Sequence, residues 1–230
     1  MKPSNDESLN ASSQRPLCDG TFCTDCGFRS SVFANLDADQ LQNLTQHRTF
    51  SIVKKGSFIA RQNAPIEGFA FLRKGLAKIT RTTESAREQI IGIATPNDFV
   101  GLLSVFSSSV YQYNIIAIED CEYCMVGYDY IIHLIESNGN FSRVLLQKIS
   151  QVSDTMLRTR LEISMRQLRG RVAFIICYFA NEVYHSPSFS LPISRRELAD
   201  LIDMRVENVV RTLSEFRRDK IIPKLSLELE

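Results

Sequence analysis

Hydrophobic and polar positions change their spacing along the chain, and each change predicts a different kind of element. From Thr49 to about Met125 the apolar residues fall in short runs, FAFLRKG, AKITRTT, QIIGIAT and NIIAIED. Lys55-Gly56, Asn63-Ala-Pro65, Lys74-Gly75 and Pro96-Asn97-Asp98 punctuate them. Short strands at this spacing, with no helical run between them, predict an antiparallel barrel or jelly roll. From Asn140 to Leu168 the period lengthens. Leu145, Ile149, Val152, Met156, Thr159 and Ile163 alternate by four and three, which is an a/d seam. Leu146, Leu157, Leu161 and Leu168 make a second apolar face, expected to pack on the roll. A helix with two such faces needs two partners, and a second copy of the chain is the natural one for the seam. Burial inside a larger monomer is the alternative. Gly170 is expected to break the run, with Arg171 to Tyr184 as the next helix. Upstream, Leu36, Leu41 and Leu44 give a short helical pattern around Asp37 to Leu44.

The stretch from Ile193 to Ile222 reads as two short helices joined by a tight turn. Ser194 followed by Glu197 is a capping box, in which each side chain satisfies an orphan backbone donor of the other residue. Leu198, Leu201 and Ile202 give the first helix an apolar face, and Val209, Leu213 and Phe216 give the second a matching stripe. Arg205, Val206, Glu207, Val210 and Arg211 are left on the outward side of the second helix. Glu can accept from a cytosine amino group and Arg can fork onto guanine, so that leading turn suits base reading in a major groove. A charged surface helix is the plain alternative.

These residues resemble the helix-turn-helix of the Crp/Fnr superfamily of transcription regulators, whose recognition helix carries an R-E-T-V-x-R or V-E-T-I-S-R signature. Here it reads Val206-Glu207-Asn208-Val209-Val210-Arg211, nearer the Fnr branch. Glu207 and Arg211 match the family's base-contacting pair, and the resemblance extends the DNA-facing set to Ser194, Arg195, Arg205, Val206, Asn208 and Val210. Asp203 stands where a turn glycine is usual, Arg205 where a capping Ser or Thr is usual, and Val210 replaces a small polar residue. Upstream, the order of Gly56, Gly75 and Asp98-Phe99-Val100-Gly101 resembles the regulatory β-roll of the same superfamily. The resemblance implies an α+β chain in four parts. Residues 1–30 would be a cysteine-containing segment, 31–137 a jelly-roll, cyclic-nucleotide-binding-like sensor domain, 138–168 a dimerisation helix, and 169–230 a winged helix-turn-helix. It also implies a parallel homodimer on a two-fold operator in double-stranded DNA, with RNA polymerase as a further partner. Only PKLSLELE follows Ile222, so the wing is expected to be short.

A net charge of +1 argues against a protein that coats nucleic acid, and is compatible with a specific binder whose positive face is local. No run approaches the roughly 18–20 apolar residues of a membrane span. The polar opening MKPSNDESLNASSQRPL has no secretory core, which points to a reducing cytoplasm. The six cysteines therefore suggest metal or redox chemistry. Cys23 and Cys26 form one C-x-x-C pair, Cys121 and Cys124 another, and Cys18 precedes the first. Thiolates two residues apart can turn toward one ion in zinc and iron–sulfur sites. A four-thiolate zinc using both pairs, or free thiols, remain alternatives to a cluster. Resemblance to the Fnr branch implies a [4Fe-4S] cluster on Cys18, Cys23, Cys26 and Cys124, with Cys121 as a substitute. The family's third N-terminal position is Val32 here, so Cys18 would serve instead.

Cys177, in the apolar helix FIICYFA, is expected to be a small core residue. His47, His133 and His185 have no ligand-spaced neighbours, although His133 could serve a haem-based gas sensor. Gly101-Leu102 and Gln112-Tyr113 occupy the places where a cyclic-nucleotide site carries an acid for ribose and an arginine for phosphate. A phosphate buried there without a cation costs several kcal/mol, so cyclic-nucleotide control is not expected. A thioredoxin-like enzyme needs a βαβ context that the pattern around Cys23 lacks, so no enzyme is expected, and a thiol redox enzyme turning over dithiols at Cys23 and Cys26 is the remote alternative.

Overall fold

A computed structural model describes residues 32–83 and 88–222. Helix α1 (Ala38–Gln46) starts at Asp37, whose carboxylate accepts from the Gln40 amide while the Gln40 side chain returns to the Asp37 N–H. Eight strands follow: β1 (Arg48–Val53), β2 (Phe58–Ala60), β3 (Gly68–Lys74), β4 (Ala77–Thr82), β5 (Glu88–Ala94), β6 (Phe99–Val100), β7 (Asn114–Ala117) and β8 (Cys121–Gly127). They pair into two antiparallel four-stranded sheets, in the orders β1-β8-β3-β6 and β2-β7-β4-β5. This is the expected roll, and its strands fall on the alternating runs seen in the sequence. Gly75 turns β3 into β4 at φ +80°, where a side chain would strike the Asp120 carbonyl at 2.4 Å.

Alternation along the strands builds two separate cores. Ala70, Leu72, Ala77, Val100, Tyr111, Ile115 and Tyr123 fill the space between the sheets. Phe69, Phe71 and Val126 point the other way, under α1, α3 (Tyr128–Ser137) and the start of α4 (Gly139–Ser164). Phe33, from a single helical turn at Val32–Asn35, is fully buried there, with its ring 5.7–6.2 Å from Phe69, Phe99 and Phe141. A short helix α2 (Leu102–Val105) lies between β6 and β7.

The long helix ends at Ser164, not Leu168, and Gly170 does not break it. Gly170 lies inside α5 (Leu168–Tyr178), where an added Cβ would sit 3.3 Å from the Arg166 side chain. The chain turns at 165–167 because Arg166 is engaged sideways. It pairs with Glu162, lies over the Phe174 ring, and its carbonyl accepts from Arg171 Nε. A π-helical turn (Phe179–Val183) closes α5, and α6 (Arg195–Leu201) and α7 (Val206–Arg218) complete the described chain. Cys177 is exposed, contrary to expectation, because Val172, Ile175 and Phe179 on the opposite side of α5 make the core contact.

A third core joins the two halves of the molecule. Leu76, Ile90, Ile93 and Ile118 of the roll meet Ile163, Ile175, Leu198, Leu201 and Ile202. Lys78 Nζ on β4 reaches Glu197 Oε1 at 2.7 Å, and Tyr184 Oη donates to Glu119 Oε1 at 3.1 Å. Among the described residues, no helix is long and apolar enough to cross a membrane.

Candidate nucleic-acid interface and cysteine region

Helix α6 begins at Ser194, whose Oγ accepts from the Glu197 amide while Glu197 Oε2 accepts from Ser194 N at 2.8 Å. The capping box expected from sequence is present. Burial alone would raise the Glu197 pKa, but the donors from Lys78 and Ser194 outweigh it and hold the carboxyl below its ordinary range. The turn to α7 passes through Asp203 at φ +54°, the left-handed conformation that a short polar side chain tolerates. Arg171 Nη1 crosses from α5 to the carbonyls of Ile202 and Asp203 at 3.3 and 3.1 Å. It therefore caps the end of α6, a role that no spacing in the sequence signals.

Helix α7 buries Val209, Thr212, Leu213 and Phe216. Glu207, Val210 and Arg211 stay exposed, and Asn208 is half-buried, with its Oδ1 accepting from Arg211 Nη2 at 3.1 Å. Arg205 occupies the N-cap position and makes no side-chain cap bond. Val206 turns partly inward onto the core. Arg195 and Ser194 are half-buried at the head of α6. The far end of α7 is pinned by Arg169, which bonds Glu215 at 2.9 Å and Asp219 at 3.3 Å and lies over the Phe216 ring. Helix α7 thus presents a carboxylate and a guanidinium one turn apart at its open N-terminal end. The wing expected after Ile222 falls outside the described residues.

The two apolar faces of α4 are the reverse of the sequence expectation. Leu145 and Ile163 are buried within the same chain, and Ile149, Val152, Met156 and Thr159 are half-buried on the same side. Val152, Met156, Thr159 and Ile163 line a cavity against the roll, and Met156 Cε lies 3.8 Å from where a Cβ on Gly92 would be. This seam is occupied by the chain's own roll. Leu146, Leu157 and Leu161, expected to pack there, are 65%, 63% and 60% exposed, and Met165 and Leu168 continue their stripe. A four-three spacing reveals that a face is buried but not by what. Ser150 and Ser153 interrupt the outward face between Leu146 and Leu157.

Cys18, Cys23 and Cys26 lie outside the described residues. Cys121 and Cys124 stand three apart on one strand and therefore point to opposite faces of the sheet. Cys121 lies between the sheets, where its thiol donates to the Leu76 and Glu119 carbonyls and burial pushes its pKa up to about 11. Cys124 lies in the other core, with Val32, Phe33 and Leu44, and its sulfur accepts from Arg48 Nη1 at 3.3 Å. Cys121 thus cannot stand in for Cys124, and a zinc shared by both C-x-x-C pairs would require β8 to come apart. The Cys124 environment fits a thiolate ligand better. A cationic N–H reaches its sulfur, and Cys26 is six residues from Val32 in the same core, a reach of at most ~20 Å. His133 is exposed on α3, and His47 is exposed with its ring stacked 4.7 Å from Tyr130. His185 is exposed in the loop after the π-helical turn, at φ +48°.

Comparison with known proteins agrees with this geometry. Residues 51–138 match the cyclic nucleotide-binding domain family, and residues 170–227 match the Crp-like helix-turn-helix domain. The transcriptional activator protein FnrL of Cereibacter sphaeroides is 24% identical over 209 residues, covering 87% of this chain and 83% of that one. The transcriptional activator protein FnrA of Stutzerimonas stutzeri is 25% identical over 224 residues, 94% and 89% of the two chains. The solved structure of FixK2 from Bradyrhizobium japonicum superposes with a TM-score of 0.68 at 21% identity, covering 76% of this chain and 86% of that one. These relatives are transcription regulators, not enzymes. With both domains matched in order over more than half its length, this chain belongs to the Crp/Fnr family of DNA-binding transcription regulators.

Proposed function

We propose that the chain is a cytoplasmic, homodimeric transcription activator that reads a two-fold operator and answers to oxygen, nitric oxide or redox state through an iron–sulfur cluster. The observation that carries the DNA-binding part is the open face of α7, where Glu207 and Arg211 are exposed on a helix pinned at its far end by Arg169. Activation is supported by the likeness to FnrL and FnrA, which are transcriptional activators, and contact with RNA polymerase is the route proposed for it. The stripe Leu146, Leu157, Leu161, Met165 and Leu168 is the surface for the second copy, because it is long, apolar and left uncovered by the chain's own roll. Such pairing sets two recognition helices about one DNA turn, roughly 34 Å, apart.

The sensor reading rests on Cys124 and its surroundings. Cys18, Cys23, Cys26 and Cys124 would hold a [4Fe-4S] group, which supplies an oxidation-sensitive link when bound. Cys124 anchors that link beneath α1, in the core that α4 also enters, and Arg48 orients the thiolate. Release of the N-terminal thiols loosens the core under α4 and thereby the dimer that α4 carries. A cyclic nucleotide has no part in this scheme. The residues that line the void beside Gly101, Leu102 and Tyr113 include neither an arginine for a phosphate nor an acid for a ribose.

The test is iron, zinc and acid-labile sulfide analysis of protein purified without oxygen, with its visible spectrum, beside operator binding measured by fluorescence anisotropy. Iron with sulfide, lost together with operator binding on exposure to air, is the expected result. Zinc, haem or no metal removes the cluster, and unchanged operator binding after air removes the sensor.

A further inference from the structure

Glu207 and Arg211 stand four residues apart on α7 with the acid nearer the N-terminus, the spacing and order that favour an ion pair along one helix face. Such a pair would occupy both of the groups that face outward. It does not form. Arg211 Nη2 donates instead to Asn208 Oδ1 at 3.1 Å, and Glu207 makes no hydrogen bond or ion pair among the described residues.

The place of Asn208 in the helix makes this bond notable. Asn208 is the third residue of α7, after its N-cap Arg205. At the same position of α1 and α6, Gln40 and Glu197 turn their side chains back to the N-cap amide and close a capping box. Asn208 turns forward to Arg211, and the side chain of Arg205 makes no cap bond. The first turn of α7 thus forgoes the local bond that the other two helices make. Only the amide oxygen of Asn208 can meet a guanidinium, which carries donors alone. Asn208 is half-buried, whereas Glu207 and Arg211 are exposed. With one Nη2 hydrogen held, the other donors of the fork stay free for O6 and N7 of guanine.

We infer that Asn208 is a positioning residue for base reading, holding Arg211 away from Glu207 so that the carboxylate stays free for a cytosine amino group and the guanidinium for guanine. Its oxygen is spent inside the protein and not on DNA. This rests on Glu207 and Arg211 being the base-contacting pair, and adds the residue that keeps them apart. It also couples the two preferences, because loss of the separation silences both groups at once.

The experiment uses the full chain and a library of DNA duplexes randomised over both half-sites, sequenced before and after capture by the protein. Arg211→Ala and Glu207→Ala locate the two positions read, as the loss of a guanine and of a cytosine preference. Asn208→Ala should lower both preferences about threefold at those same positions, because Arg211 can then fold onto Glu207. Asn208→Asp keeps the acceptor and should keep the guanine preference. Adding Glu207→Gln to Asn208→Ala removes the charge that draws Arg211 over, and should restore the guanine preference alone. A folding defect weakens capture of every sequence alike and leaves the preferences as they were. Uniform weakening by Asn208→Ala with both preferences intact therefore overturns the inference, as does a lost guanine preference that Glu207→Gln does not restore. Preferences unmoved by Arg211→Ala and Glu207→Ala would remove the base-contacting pair itself, and the inference with it.

Discussion

Replacing Lys78 with methionine should weaken the contact between roll and DNA-binding helices by an amount the structure bounds. Lys78 Nζ lies 2.7 Å from Glu197 Oε1, and the two side chains are 15% and 27% exposed. A hydrogen bond to a charged group contributes about 1.5–3 kcal/mol when partly buried. Glu197 keeps two further donors, Ser194 N at 2.8 Å and Ser194 Oγ at 2.9 Å, so Lys78→Met leaves it satisfied and should cost about 1.5 kcal/mol. Glu197→Ala removes the same pair, dismantles the capping box and leaves a half-buried ammonium alone, which should cost about 3 kcal/mol. The double variant should then reveal a coupling of roughly 1 kcal/mol between the two positions. Urea unfolding followed by tyrosine fluorescence reads these values, since the chain has seven tyrosines and no tryptophan. Equal costs for the two single changes, or a coupling of zero, would refute the view that this pair fastens the halves. The pH dependence has a fixed sign. The folded pKa of Glu197 lies below the ordinary 4.5, so its contribution is complete above that value and disappears as pH falls through the lower folded value. The parent should therefore lose this part of its stability below 4.5, and Lys78→Met should flatten that loss.

Arg211→Ala should cost about 1–3 kcal/mol in operator binding and relax discrimination at one base pair, read by anisotropy against a set of single-base operator variants. Uniform weakening across the set would reduce Arg211 to a phosphate contact. Leu157→Glu with Leu161→Glu should yield a folded monomer in equilibrium sedimentation. Met156→Ala, on the roll-facing side, should cost about 1–2 kcal/mol of stability and leave the dimer intact. The opposite pattern would return the seam to its sequence assignment. Arg205→Asp supplies the missing N-cap of α7 and should raise stability by about 1 kcal/mol, seen as a higher Tm. A lower Tm would mean that Arg205 holds the turn in some other way.

What the sequence revealed depended on whether one local pattern had one physical meaning. The strand runs, the Asp37 to Leu44 helix and the capping box at Ser194 were legible because alternation, helical spacing and capping are local effects. The outward position of Glu207 and Arg211 followed from the Val209, Leu213 and Phe216 stripe in the same way. The partner of α4 was not legible, because an apolar face is complementary to any other apolar face. The packing of Leu145, Val152, Met156 and Ile163 within the chain decides which side meets the roll. The roles of Arg171 and Arg169 were not legible because they act across 31 and 46 residues of chain, on carbonyls and carboxylates with no spacing in common. The Lys78–Glu197 pair, 119 residues apart, was hidden for the same reason.

The strand that carries Cys121 and Cys124 has a chemical consequence of its own. Three residues of extended chain put their Cα atoms roughly 10 Å apart, with the sulfurs facing away from each other. A disulfide needs Cα atoms within about 4.4–6.8 Å. Peroxide or disulfide stress therefore cannot close this pair into a loop while β8 stays hydrogen-bonded between β1 and β3. This C-x-x-C pair is one the fold has made inert toward itself, and any partner for the Cys124 sulfur comes from outside the strand.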